Sequence, residues 1–262
     1  MPYGTVFRPG LFSGETIIVT GGGSGMGRCT AHELAHLGAK VVLVGRRKEK
    51  LLQVQQEIIE DGGKAEFQVL DIREETNVIA AVEMIIDRDG PIYGLVNNAP
   101  SIHTGKIVNL DLSAWKTNFK ANLDAVFLTT KTVLPWMLEA KEGAIVNVAS
   151  VVGLKGVAYM SAYGAAKAGL INFSRATAVE AAPHVRVNCI VPGAVLTPAT
   201  ERAIPAKDLM EATVNTIPLK RIAQPIELAH PIAFLLSSDA SFITGASLVV
   251  DGGKTGDLNA GN

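Results

Sequence analysis

Tyr163 and Lys167 stand four residues apart in the Ala-rich run that begins at Ser161. That spacing puts both side chains on one face of a helix. Ser150 follows the apolar run Ala144–Val148, which reads as a strand able to aim a hydroxyl into a crevice. A phenol, an ammonium and a hydroxyl meeting at one point could give a carbonyl oxygen a proton, a positive charge and a hydrogen bond. Tyr159 competes for the first role, but the residue four after it is Tyr163 itself, so only Tyr163 has a lysine at helical spacing. Tyr159 reads instead as substrate-pocket lining, with Ser150, Val152 and Met160.

Strands that could position these groups alternate with helices along the whole chain. Apolar, β-rich runs fall at Thr16–Thr20, Val41–Val44, Phe67–Leu70, Leu95–Asn97, Ala144–Val148, Val185–Val191 and Ser247–Asp251. Helical patterns fall between them, including one long helix over about Ser113–Leu138, the Ser161–Ala181 helix and a last one at Pro225–Leu236. This alternation predicts parallel βαβ units, right-handed crossovers and a sheet covered on both faces. With 262 residues and no repeat or linker, the chain reads as one α/β domain over 1–262. An irregular arm (1–14), a polar, Pro-containing excursion that reads as a substrate lid (197–217) and a tail (254–262) depart from that rhythm.

Composition narrows the partners. Hydrophobic residues make up 48% of the chain and the net charge is −1. No basic field invites nucleic acid. No apolar run reaches the roughly 18 residues of a membrane span, so no membrane partner is expected. Two cysteines, Cys29 and Cys189, are too few for a disulfide framework, and the histidines lack metal-ligand spacing. The expectation is a soluble cytoplasmic protein, without metal, acting on a small-molecule substrate.

A second chemistry lies at the first turn. Gly21, Gly25 and Gly27 sit between a strand and a helix, with Gly23, Ser24 and Met26 among them. Such a turn lets backbone N–H groups approach a pyrophosphate at the helix N-terminus. No Gly-Lys-Ser/Thr follows, which excludes a P-loop. The second strand ends in Val44-Gly45-Arg46-Arg47, where a carboxylate would select NAD and an arginine accommodates the 2′-phosphate of NADP. NADP(H) is therefore the preferred cofactor, with NAD(H) the alternative, and Arg46 the leading contact beside Arg47.

In order along the chain, these markers resemble the short-chain dehydrogenase/reductase family over about Leu11–Gly253. They are Thr20-Gly21-x3-Gly25-x-Gly27, Asp71, Asn97-Asn98-Ala99, Asn122, Ser150, Tyr163-x3-Lys167, Pro192-Gly193-x3-Thr197 and Asp251-Gly252-Gly253. The resemblance implies a doubly wound Rossmann fold with a seven-stranded parallel sheet in the order 3-2-1-4-5-6-7. It implies that Asp71 and Ile72 meet adenine, that Asn98 and Ala99 run along the ribose, and that Lys167 holds the nicotinamide ribose. Thr197 would anchor the carboxamide with the backbone of Pro192, Gly193 and Val195. Asn122 would stabilise a helix bend and hold a water serving Lys167. Tyr163, its pKa lowered by Lys167 and an oxidised nicotinamide, would be the acid and base, with Ser150 orienting the substrate oxygen.

One departure stands out: Pro100 occupies a position where the family usually has glycine, which puts the geometry around Ser101–Thr104 in question. Apolar residues such as Ile102, Val152, Leu154, Val157, Met160 and Leu209 in the specificity segments point to an apolar alcohol or ketone. An enoyl- or 3-oxoacyl-thioester (CoA) reductase is the alternative enzyme, and a catalytically silent dinucleotide-binding regulator the alternative of another class. The resemblance also implies a homotetramer or homodimer, with Phe242-Ile243-Thr244-Gly245 in the tetramer-forming segment.

Overall fold

The computed structural model describes residues 7–204 and 206–257; the first six residues of the expected arm, Pro205 of the lid and the end of the tail lie outside them. Seven strands form one parallel sheet: β1 (Thr16–Thr20), β2 (Lys40–Gly45), β3 (Lys64–Val69), β4 (Ile92–Asn97), β5 (Gly143–Val148), β6 (Val185–Pro192) and β7 (Ser247–Val250). Their order is β3-β2-β1-β4-β5-β6-β7, as the resemblance implies. The order reverses between β1 and β4, so the carboxyl ends of these two strands open a crevice.

Alternation within the strands builds two cores. Ile17, Val19, Val41 and Leu43 face α1 (Gly25–His36), α2 (Lys48–Glu60) and α9 (Ile226–Leu236). Ile18, Val42 and Val44 face α3 (Glu75–Asp89), α5 (Ala125–Ala140) and α6 (Ser161–Ala181). A period of two therefore sorts one apolar run onto both faces. Between β4 and β5 the register pairs Asn97 with Asn147. Asn97 Nδ2 donates to Asn147 Oδ1 at 2.9 Å, Thr129 donates to Asn97 Oδ1 at 2.7 Å, and Asn147 Nδ2 donates to Ser174 Oγ at 2.9 Å. These buried amides are thus satisfied by one another and by hydroxyls.

Three elements differ from the sequence expectation. The arm is irregular but docked from Phe7 onward. Phe12 is buried against Tyr93, and its N–H donates to Leu37 O at 2.9 Å. The long helix is interrupted: α4 (Leu112–Phe119) passes through a single π-helical turn, Lys120–Asp124, before α5. The lid holds two short helices, α7 (Pro198–Ala203) and α8 (Lys207–Asn215). Both ends of this excursion are tied at one place, because Val195 bridges Ala223 and Leu196 N–H donates to Ala223 O at 2.8 Å. Among the described residues, no helix is long and apolar enough to cross a membrane.

Candidate active site

The Gly-rich turn leaves β1 at the crevice. Its start is fixed to β2 by Gly21 N–H donating to Val44 O at 2.7 Å. A Cβ on Gly27 would stand 2.3 Å from Gly21 O and 2.5 Å from Asn98 Nδ2, so only glycine lets α1 pack so closely under the turn. Asn98 in turn locks β4 to β1: its N–H donates to Thr20 Oγ1 at 2.9 Å and its Nδ2 to Thr20 O at 3.0 Å. Gly27 and Asn98 hold the cradle from below, while the α1 N-terminus offers its unpaired N–H groups at the rim.

A cleft of about 880 Å³ opens here, within the range of small-molecule and cofactor sites. Of the residues expected at the cofactor, it is lined by Gly21, Gly23, Ser24, Gly25, Met26, Arg46, Arg47, Asp71, Ile72, Asn98, Ala99 and Thr197. Gly27, Pro192, Gly193 and Val195 stand behind the lining; Gly193 N–H donates to Val250 O and Val195 is buried. Cations dominate the walls: Arg28, Arg46, Arg47, Lys50, Arg73 and Arg202, against the single carboxylate of Asp71. Arg28 is held by Glu57 at 2.8 Å, and Arg73 Nε donates to both Asp71 oxygens at 2.9 and 3.0 Å. The Arg73 bonds, helped by the charge of Arg46, bring the Asp71 carboxyl down to about 2. Arg47 Nη2 reaches Ser24 Oγ at 3.4 Å. A dinucleotide carrying several phosphates fits this cradle and this charge.

The groups that opened the sequence reading, Ser150, Tyr163 and Lys167, are not among the cleft's lining residues and lie at the end of β5 and on α6. Ser150 ends β5, and its hydroxyl accepts from Val152 N–H at 3.3 Å in the turn Val151–Gly153. That turn lies on α6: a Cβ on Gly153 would come within 2.9 Å of Ala168 N. The close approach brings the Ser150 hydroxyl toward the Tyr163 phenol. Burial pushes Tyr163 up to about 12, with Ser150 acting in the opposite direction. Burial lowers Lys167 to about 8, and its ammonium donates to Val148 O at 2.7 Å. The Lys167 ammonium stands 5.8 Å from the centre of the Tyr163 ring.

Asn122 lies in the π-helical turn, and its amide donates to Ser101 O at 2.6 Å and Asn118 O at 2.9 Å. Tyr159 is 54% exposed with φ of +68°, a left-handed backbone that L-residues seldom adopt. Val152 and Met160, the other expected pocket residues, are half-buried. Sequence reasoning missed Arg73, Lys50 and Asn118, and named Arg202 only as a candidate for the phosphates of an acyl-CoA. Only Arg73 carried a signal, an arginine two residues after an acid.

A family model described as enoyl-(acyl carrier protein) reductase matches residues 21–255. A cyclopentanol dehydrogenase from Comamonas sp. (strain NCIMB 9872) is 38% identical over 94% of this chain and 99% of its own length. A 3-oxoacyl-(acyl-carrier-protein) reductase from Thermotoga maritima is 36% identical over 92% of this chain and 97% of its own. The solved structure of a citronellol catabolism dehydrogenase from Pseudomonas aeruginosa PAO1 is 42% identical, with a TM-score of 0.85 over 97% of this chain and 100% of that one. The chain belongs to the short-chain dehydrogenase/reductase family. It is an NAD(P)-dependent oxidoreductase.

Proposed function

We propose that this single domain is an NADP(H)-preferring cytoplasmic oxidoreductase acting on an apolar alcohol and its carbonyl partner. The observation that carries the reading is the buried Tyr163 phenol with Lys167 one helical turn on and Ser150 at the end of β5, together with a cleft rich in cations. When bound, the nicotinamide cofactor supplies or accepts the hydride. Arg46 and Arg47 hold the 2′-phosphate, the Gly21–Gly27 turn and the α1 N-terminus take the pyrophosphate, and Thr197 secures the nicotinamide end. Ser150 fixes the substrate oxygen by a hydrogen bond. In the reductive direction Tyr163 donates its phenolic proton to that oxygen, and in the oxidative direction it takes the proton back. Lys167 holds the ribose and keeps positive charge close to this exchange. Asn122 serves Lys167 from its place in the π-helical turn and also braces the substrate wall through Ser101.

The apolar substrate is supported by Ile102, Leu154 and Val157, which are exposed at the rim, and by the printed activity of the cyclopentanol dehydrogenase relative. The two buried thiols, Cys29 and Cys189, suit a reducing compartment. A homotetramer accords with Phe242, which stands fully exposed beside the edge strand β7. The test is turnover of cyclopentanol and citronellol with NADP or NAD, set against reduction of 2-enoyl-CoA and 3-oxoacyl-CoA with NADPH or NADH. Faster turnover of the thioesters would reject the alcohol reading, and a kcat/KM favouring NAD(H) would reject the cofactor preference.

A further inference from the structure

Asn118, in the last turn of α4, is fully buried although asparagine is costly to bury without partners. Its partners are on the loop after β4. Oδ1 accepts from His103 N–H at 3.3 Å, and Nδ2 donates to His103 O at 3.0 Å and to Ala114 O at 3.1 Å. Asn122 repeats the pattern one helical turn on. Its Oδ1 accepts from Ser101 N–H at 3.3 Å, and its Nδ2 donates to Ser101 O at 2.6 Å.

The two spacings match. Four residues of helix rise about 6 Å, and two residues of extended chain about 6.6 Å. Each carboxamide therefore presents a donor and an acceptor to one loop residue, as a neighbouring strand would, although Ser101–His103 belong to no strand. Pro100 has no N–H to pair and disfavours a helical Ala99, so the chain enters this clamp extended. Beyond the clamp, Gly105 N–H donates to Tyr159 O at 2.9 Å, and Met160 O accepts from Gly164 N–H at 2.7 Å. A run of hydrogen bonds and short backbone links thus joins Asn118 to the helix that carries Tyr163, by way of the left-handed Tyr159.

We propose that Asn118 is a positioning residue that sets substrate specificity, clamping with Asn122 the loop Ser101–Gly105 as a rigid wall of the substrate pocket. The specificity part rests on the alcohol dehydrogenase reading above; the clamp itself does not. Two variants test it. Asn118→Leu keeps an apolar side chain of similar size and removes all the side-chain bonds. Asn118→Asp places a carboxylate against His103 O and Ala114 O at pH 8. At pH 5.5 a protonated carboxyl again donates to a carbonyl and accepts from His103 N–H.

Hydrogen exchange of the 101–105 amides, the KM for cyclopentanol and the Kd for NADPH are measured, with the unsubstituted protein as the reference at each pH. In Asn118→Leu the amides exchange about tenfold faster and KM rises about tenfold, while the Kd for NADPH stays within about twofold. Asn118→Asp shows the same losses at pH 8 and recovers at pH 5.5. Unchanged exchange at 101–105 in folded Asn118→Leu would overturn the clamp. Faster exchange with unchanged KM would overturn the specificity role. If the unsubstituted protein turns over no alcohol while Asn118→Leu loosens 101–105, the substrate reading fails and the clamp stands.

Discussion

Lys167 turns its ammonium to the carbonyl oxygen of Val148, 2.7 Å away, and stands 5.8 Å from the centre of the Tyr163 ring. Tyr163 is a buried proton carrier at the site, held up to about 12 by burial. Tyr163→Phe keeps the ring and loses the proton. Its kcat should fall by about 10²- to 10⁴-fold with the NADPH Kd unchanged, as measured by steady-state turnover and fluorescence titration. Near-normal turnover would remove Tyr163 from the mechanism. In the unsubstituted protein, alcohol oxidation needs the phenolate and should rise with pH across the alkaline range, whereas carbonyl reduction needs the phenol and should not.

Cofactor choice rests on the end of β2. Arg46→Ala combined with Arg47→Ala should lower kcat/KM for NADPH by about tenfold to a hundredfold, because two charge-assisted contacts to a phosphate are lost. The value for NADH should stay within about threefold of normal, because that cofactor has no phosphate there. Equal losses with both cofactors would assign these arginines to the pyrophosphate instead.

Asp71 gives an acid-stability prediction. Hydrogen bonds from Arg73 hold its carboxyl down to about 2, below the usual 3.8. Folding then favours the ionised form, so the contribution is complete above the unfolded value and is lost as pH falls through the folded one. The pair is partly exposed to solvent, which limits the effect to about 1 kcal/mol or less. Asp71→Asn should lower Tm slightly at pH 7, and the two Tm curves should converge between about 3.8 and 2. A constant gap at every pH would mean the loss is packing rather than charge.

Phe242 has a relative exposure of 104%, an unusual state for an aromatic residue next to an edge strand. Light scattering should give about four times the chain mass of 27.6 kDa, and Phe242→Asp should reduce it. A mass of one chain for the unsubstituted protein would end the tetramer proposal.

Much of this molecule was legible because its signals are local. The β1 run and the glycines after it needed only neighbouring residues to be understood, and the Tyr163–Lys167 spacing needed one turn of helix. What stayed hidden was non-local. Asn118 looks like any polar residue of an amphipathic helix until the fold brings His103 against it, 15 residues away in sequence. The direction of the Lys167 ammonium depends on Val148, 19 residues before it on a neighbouring strand. Arg202 joins the cleft only because the lid returns to its starting point at Ala223. The π-helical turn at Lys120–Asp124 left no mark in the spacing of apolar residues, which continue on either side of it.

The paired amides of Asn97 and Asn147 bear on how the sheet is assembled. They face each other only when β4 and β5 join in the observed alignment. A slip of one residue would turn the two carboxamides to opposite faces, and a slip of two would leave each against apolar neighbours. Either error strands polar groups in the interior, whereas slipped valines and isoleucines would still find greasy contacts. The pair therefore works as an assembly checksum at the centre of the molecule. It penalises misaligned strands before Asn98 and Ser150, the residues just beyond them, can be set at the wrong height.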